Sequence, residues 1–240
     1  FFRQCDAAAP GNCALAPNSE ARFYAVLERL REGPIFIQDP ATGQAFPYLY
    51  SYLVADALGT LYNPGSFPFA AQFVAFLESI PDPVSLGLAR QSLQRTGGFV
   101  NKRGFPHYEN AAEGFPGVAC EDTSNPTGGY GVWWEAGQEA TAEHGIFGES
   151  WAWGSFPCAS WSSSDEDSYV GPFDATPANP VLVIGNFYDP ATRYEGALAA
   201  NALLGGSVLL SVDEPGHTSL GISGCAGFLT GLYLENPQAY

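Results

Sequence analysis

Apolar residues recur every three to four positions along the first eighty residues, and near the C-terminus they gather into two nearly unbroken runs. Asn18-Ser19 precedes "EARFYAVLERLRE", in which Phe23, Val26, Leu27 and Leu30 stand at i, i+3, i+4 and i+7. That spacing predicts an amphipathic helix, closed by Gly33-Pro34. "FPYLYSYLVADALGTLY" (46–62) and "FPFAAQFVAFLESI" (67–80) predict two more, each with a proline near its start. "PVSLGLARQSLQR" (83–95) makes a weaker fourth, and the opening "FFRQCDAAAP" reads as the tail of a helix already under way. No period of 20–50 residues recurs, which excludes a solenoid.

From Thr96 to Thr176 the texture changes to Gly, Pro, Ser and aromatics, with "GVWWEAGQEATAEHGIF" as the one predicted helix. So long an irregular stretch in a compact domain points to a lid. The last 65 residues change again: "PVLVIGNF" reads as a buried strand, "ATRYEGALAANALLG" as a helix ended by Gly205-Gly206, "SVLLSVDE" as a second strand and "SGCAGFLTGLYLE" as a closing helix. Strand, helix, strand, helix at these lengths predicts parallel strands buried on both faces. Two parallel strands do not make a stable sheet alone, so the remaining strands are expected from sequence outside this chain. The chain contains no Met, which adds the expectation of a processed or excised piece of a longer polypeptide.

Composition narrows the possibilities. Hydrophobic residues make up 46 % of the chain, enough for a packed core. Nine Lys plus Arg against 25 Asp plus Glu leave a formal net charge of −16. A nucleic-acid partner is therefore not expected, nor an anionic membrane surface, since both need a basic face. No run of about 18 apolar residues predicts a transmembrane helix. Five cysteines stand at 5, 13, 120, 158 and 225, with no CxxC and no Cys/His cluster of zinc spacing, so no metal and no other cofactor is expected. Cys5 and Cys13 flank a Pro-Gly turn, which suits a local disulfide; Cys120 and Cys158 both lie in loop-like sequence that a bridge could hold. Two bridges would imply an oxidising compartment and a secreted protein. Five buried free thiols are the alternative.

The chemistry gathers where the two apolar runs end. Functional groups of open α/β sheets collect at the carboxyl ends of the strands, where Asp189 and His217 both stand. Adjacent parallel strands lie about 4.8 Å apart, which brings their turns within side-chain reach. An Asp bonded to one imidazole nitrogen sets the tautomer and leaves the other to take a proton. Singly, Asp189 could be only a helix N-cap ahead of Pro190, and His217 only a loop histidine beside Gly216. Together they supply two-thirds of a nucleophile–base–acid triad, in the order used by α/β-hydrolases.

Here a resemblance becomes specific. "PVLVIGNFYDPATRYEGALAANALLGGSVLLSVDEPGHTSL" (180–220) resembles the C-terminal segment of the tripeptidyl-aminopeptidase-like branch of the α/β-hydrolases, in which a strand leads to D-x-x-T-P, then helix, strand and G-H-x-S/T. "FFRQCDAAAPGNCAL", "LYNPGSFPFAA", "GVACED" and "CASW" resemble the family's cap-region landmarks, so the likeness covers nearly the whole chain. It implies an α/β fold, namely the C-terminal part of an α/β-hydrolase. A mostly helical cap or lid (1–175) would precede the last two parallel strands and helices of the core (176–240). By it Asp189 is the triad acid and His217 the general base. Arg193 departs from the pattern, standing where the family usually has Pro.

The resemblance places the nucleophile's G-x-S-x-G elbow upstream of Phe1, and this chain has no such motif. Its nearest imitation, "GESWA" around Ser150, lacks a buried strand before it and a good helix after it, and too few residues separate it from Asp189. The N-terminal half of the same precursor, as a second chain or a missing segment, is therefore the expected partner, supplying serine and oxyanion hole. The wider clan holds the substrate's amino group with acidic cap residues. Glu135, Glu139 and Glu143 recur every four residues, though a solvated helix face in so acidic a chain is the better account of them. Trp133, Trp134, Trp151, Trp153 and Trp161 could line an apolar pocket or simply pack, and His107 and His144 read as ordinary loop or helix-end residues. The expected activity is that of a serine hydrolase acting at peptide N-termini. Carboxylic-ester hydrolysis by the same triad is the alternative, and a non-catalytic binding module the second.

Overall fold

Helix α1 (Phe2–Ala7) carries Cys5, which is buried and disulfide-bonded to Cys13 across a Cα–Cα distance of 5.4 Å. In this computed structural model residues 1–9, 11–39, 41–81, 111–161, 167 and 169–239 are described; the helix predicted over 83–95 and His107 lie outside them. The chain divides into two compact units, Phe1–Val84 together with Gly171–Tyr240, and Ser85–Val170.

In the first unit, α2 (Ser19–Glu32) buries Phe23, Val26, Leu27 and Leu30, the stripe its sequence spacing predicts. Helix α3 (Tyr50–Leu61) buries Leu53 and Val54, and α4 (Phe67–Ser79) buries Phe67, Ala71, Val74 and Leu77. Each buried Leu or Val contributes roughly 1.5–3 kcal/mol of transfer free energy, so these interlocked stripes dominate the stability of the helical layer. Arg22 on α2 forks onto Glu78 on α4, with Nε and Nη2 both reaching Oε2, at 3.1 and 2.5 Å.

The helix predicted over 46–62 begins only at Tyr50. Ahead of it Ala45–Tyr48 forms strand β2, antiparallel to β1 (Ile35–Gln38), with Ile35 opposite Tyr48 and Gln38 opposite Ala45. The hairpin turn is made by Asp39, whose carboxylate accepts from the Ala41 N–H and the Thr42 hydroxyl, and by Gly43 at φ +69°. Pro47 lacks an N–H, which suits a strand at a sheet edge as well as a helix start. Periodicity alone does not separate the two.

The C-terminal part of this unit is the predicted strand–helix–strand–helix. Strand β3 (Leu182–Tyr188) pairs in parallel with β4 (Val208–Pro215), from Leu182 opposite Val208 to Asn186 opposite Val212. Helix α8 (Tyr194–Leu203) packs on this pair, and α9 (Gly224–Glu235) follows, capped by the Ser223 hydroxyl accepting from the Ala226 N–H. Gly185 permits the close approach of α8: a Cβ there would stand 2.7 Å from the Ala197 Cβ.

The second unit holds more helix than its composition predicts. Helix α5 (Ala111–Asp122) is tied to Cys158 through Cys120, with a Cα–Cα distance of 5.0 Å, and Trp161 Nε1 donates to Glu121 at 2.8 Å. The single helix expected over 131–147 is two, α6 (Tyr130–His144) and α7 (Ile146–Gly154), broken at Gly145 with φ +68°. Helix α7 lies so close to α6 that a Cβ on Gly148 would overlap the Ala140 carbonyl. No helix among the described residues is long and apolar enough to cross a membrane.

Candidate active site

Strands β3 and β4 run side by side and end together. A register shift between Asn186 and Tyr188 sets Tyr188 opposite Pro215, and the Gly216 N–H donates to the Tyr188 carbonyl at 3.3 Å. Asp189 follows β3 directly and His217 follows β4 after one glycine. Their side chains meet: His217 Nδ1 lies 3.0 Å from both carboxylate oxygens of Asp189.

Asp189 is surrounded by donors. Oδ1 accepts from the Ala191 and Thr192 N–H groups, both at 2.8 Å; Oδ2 accepts from the Thr192 hydroxyl at 2.9 Å and the Thr218 N–H at 3.2 Å. The turn-forming role and the histidine-orienting role are therefore one arrangement. Burial is the largest single influence and pushes this carboxyl up. The bonds from Thr192, Ala191, His217 and Thr218 outweigh it and hold the group below the usual carboxylate value. An ionised carboxylate only accepts, so the proton between the pair belongs on His217 Nδ1; in the neutral imidazole Nε2 then carries the lone pair. Nε2 has no hydrogen-bond partner among the described residues. The Asp189 side chain is 4 % exposed and that of His217 31 %, an enclosed carboxylate behind an imidazole that reaches the surface.

The turn carrying His217 is conformationally expensive. Gly216 adopts φ +120° and Thr218 φ +65°, and positive φ at a non-glycine residue costs on the order of 1–3 kcal/mol. Hydrogen bonds from several directions hold it. The Asn186 amide on β3 donates to the Gly216 and Thr218 carbonyls, the Thr218 N–H donates to Asp189, and the His217 N–H donates to the Tyr62 carbonyl at 2.9 Å. The Tyr62 ring also stands edge-on to the imidazole, with centroids 5.1 Å apart. Sequence reading did not single out Tyr62 or Asn186. Asn186 had a signal, a polar residue within an apolar strand; Tyr62 had none. A groove of about 930 Å³ runs past Gly185, Asn186, Asp189, Thr192 and Thr218.

The other candidates belong to the second unit. Glu135, Glu139 and Glu143 lie on the exposed side of α6. Trp133 is 4 % exposed and packs edge-on against Phe156, while Trp134 is half-exposed and stacks on Tyr130. Trp153 packs between Tyr130 and Phe156. His144 ends α6 beside Glu143. Ser150 lies inside α7, not on a strand-to-helix turn, and close helix packing accounts for the glycine of its motif. Of the five cysteines, Cys225 is free and exposed. Among the described residues no His/Cys/Asp/Glu group has metal-site geometry.

A parallel pair with an acid after one strand and a histidine after the next is the C-terminal corner of an α/β-hydrolase sheet. Residues 143–239 match the family described as TAP-like protein, a stretch that contains Asp189, His217 and everything between them. Over that stretch the chain is similar to the tripeptidyl aminopeptidase-like branch of the α/β-hydrolase superfamily, which supports a hydrolase of that superfamily. No curated protein matches it.

Proposed function

We propose that this chain supplies the acid and the base of a secreted serine hydrolase that removes short peptides from free N-termini. One observation carries the reading: Asp189 holds His217 by Nδ1 at the end of two parallel strands, while Nε2 has no hydrogen-bond partner among the described residues. The serine and the oxyanion hole come from sequence outside this chain. His217 Nε2 takes the hydroxyl proton as the serine oxygen attacks the scissile carbonyl. It returns that proton to the amine as the C–N bond breaks, leaving an acyl-enzyme. Water then attacks the ester, giving its proton to the same nitrogen, which passes it back to the serine oxygen. Asp189 stays ionised throughout and stabilises the imidazolium. The exposed carboxylates of Glu135 and Glu139 and the half-exposed Trp134 are proposed to bind a substrate's amino group, while Trp133 is buried against Phe156 and packs instead. Two disulfides suit the oxidising compartment of a secreted enzyme.

The test uses the complete protein and three substrates: a free-N-terminus peptide amide, its N-acetyl form and a short acyl ester. An aminopeptidase cleaves the first and rejects the second. Preference for the ester, or equal cleavage of the acetylated peptide, refutes the peptidase reading. Wild-type turnover by His217→Ala refutes the triad itself.

A further inference from the structure

Asn186 stands in the interior of β3 at 3 % exposure, in a run otherwise made of Leu182, Val183, Ile184 and Gly185. Its Nδ2 donates to the Gly216 carbonyl at 3.0 Å and to the Thr218 carbonyl at 2.7 Å. Those carbonyls stand on either side of His217, on the two residues of the turn with positive φ. One amide nitrogen thus uses both its hydrogens to bridge the turn that carries the base. The orientation of the amide follows from its partners, because a rotated side chain would set an oxygen against two carbonyl oxygens.

The other end of the amide is unsatisfied: Oδ1 is buried and meets no donor among the described residues. A buried, unmet acceptor opposes folding, and an apolar residue of the same shape would suit the strand better. The amide has a plain cost to the strand, and its two bonds both end at the His217 turn.

We propose that Asn186 is a positioning residue for His217. Asp189 and Asn186 come from the same strand end, so acid and base are both referenced to β3, the acid directly and the base through the amide. Without the bridge the turn relaxes from positive φ at Thr218, and Nδ1 moves off the carboxylate. The proposal rests on the acid–base reading of Asp189 and His217. A misplacement of about 1 Å in a reacting group costs on the order of 10²-fold in rate, which sets the scale of the effect.

The test compares Asn186→Asp and Asn186→Leu with His217→Ala in the complete enzyme. N186D keeps the shape of the side chain and turns an oxygen toward the two carbonyls; N186L removes the donors. The expected result is a kcat lowered about 10- to 100-fold with KM changed far less. The downfield proton resonance of the His217 Nδ1–H bonded to Asp189 should broaden or vanish in the folded variant. A purely structural amide would lower the melting temperature and leave both kcat and that resonance in place, and this result overturns the proposal. If N186L does not fold, N186D carries the test. An inactive H217A beside an N186D of wild-type turnover removes the positioning role and leaves the triad standing. A fully active H217A removes the triad reading instead.

Discussion

Tyr62 and His217 meet through both main chain and side chain: the histidine N–H donates to the tyrosine carbonyl at 2.9 Å, and the two rings lie edge to face at 5.1 Å. Tyr62 closes α3, so the N-terminal helical layer braces the turn that carries His217. An edge-to-face pair contributes about 0.5–1.5 kcal/mol beyond its burial. If that energy restricts the imidazole, Tyr62→Ala lowers kcat by about 2- to 12-fold in the complete enzyme. Tyr62→Phe keeps the ring and should leave kcat unchanged. Steady-state kinetics of the two variants checks the pair; equal losses would mean that the hydroxyl, not the ring edge, matters.

Gly216 is irreplaceable on two independent grounds. Its φ of +120° disfavours any side chain, and a Cβ would stand 2.6 Å from Ile222 Cδ1 and 3.0 Å from the Tyr62 carbonyl. Gly216→Ala is expected to destabilise the protein by more than about 2 kcal/mol, from backbone strain and overpacking together. Denaturant unfolding measures it. A variant as stable as wild type would show that the turn has room the structure does not give it.

Acid should weaken the fold through Asp189. Its carboxyl is held below the ordinary value in the folded chain, so the folded state favours the ionised form. The resulting stability is complete above the unfolded value of about 3.9 and is lost as pH falls through the folded one. Asp189→Asn removes that component. The unfolding free energy of the variant should therefore fall less steeply than that of wild type between about pH 5 and pH 3. Glu78, bonded to Arg22, is lowered too and contributes to both proteins alike, so the difference between them isolates Asp189. Parallel curves would contradict the donor set around the carboxylate.

The backbone at Arg193 suits the proline that the resemblance puts there. Its φ is −60°, within the range a pyrrolidine ring imposes, and it stands at the N-cap of α8. Its side chain is exposed and reaches Glu195 only at 3.5 Å. Arg193→Pro should raise stability by about 0.4–1 kcal/mol through the entropy of the unfolded chain. A melting-temperature shift checks this; a fall would mean that the Thr192 backbone resists the ring.

Both disulfides should map to their partners in unreduced peptide digests, with Cys225 alone alkylated. The Cys120–Cys158 bridge has a sequence separation of 38 and Cys5–Cys13 one of 8. In the chain-entropy account the first stabilises by about 4 kcal/mol and the second by about 2.5 kcal/mol. Replacing each pair by Ala and measuring unfolding should reproduce that order.

Much of this molecule is written in local pattern. The stripe of Phe23, Val26, Leu27 and Leu30 meant a helix because only that period puts the four on one face. Asp189 and His217 were legible for a related reason: parallel strands joined by one helix end side by side, whatever lies elsewhere. The hairpin at Ala45–Tyr48 was not legible, since a four-residue strand takes its identity from the partner it pairs with. The break at Gly145 and the approach of α7 to α6 depend on a turn conformation and a packing distance that periodicity does not encode. The brace from Tyr62 lies further still from any pattern. It joins segments separated by most of the chain, and the bond uses main-chain groups that every residue possesses. Asn186 falls between these cases: its polarity stood out in an apolar run, but only folding brought it to the two carbonyls that flank His217.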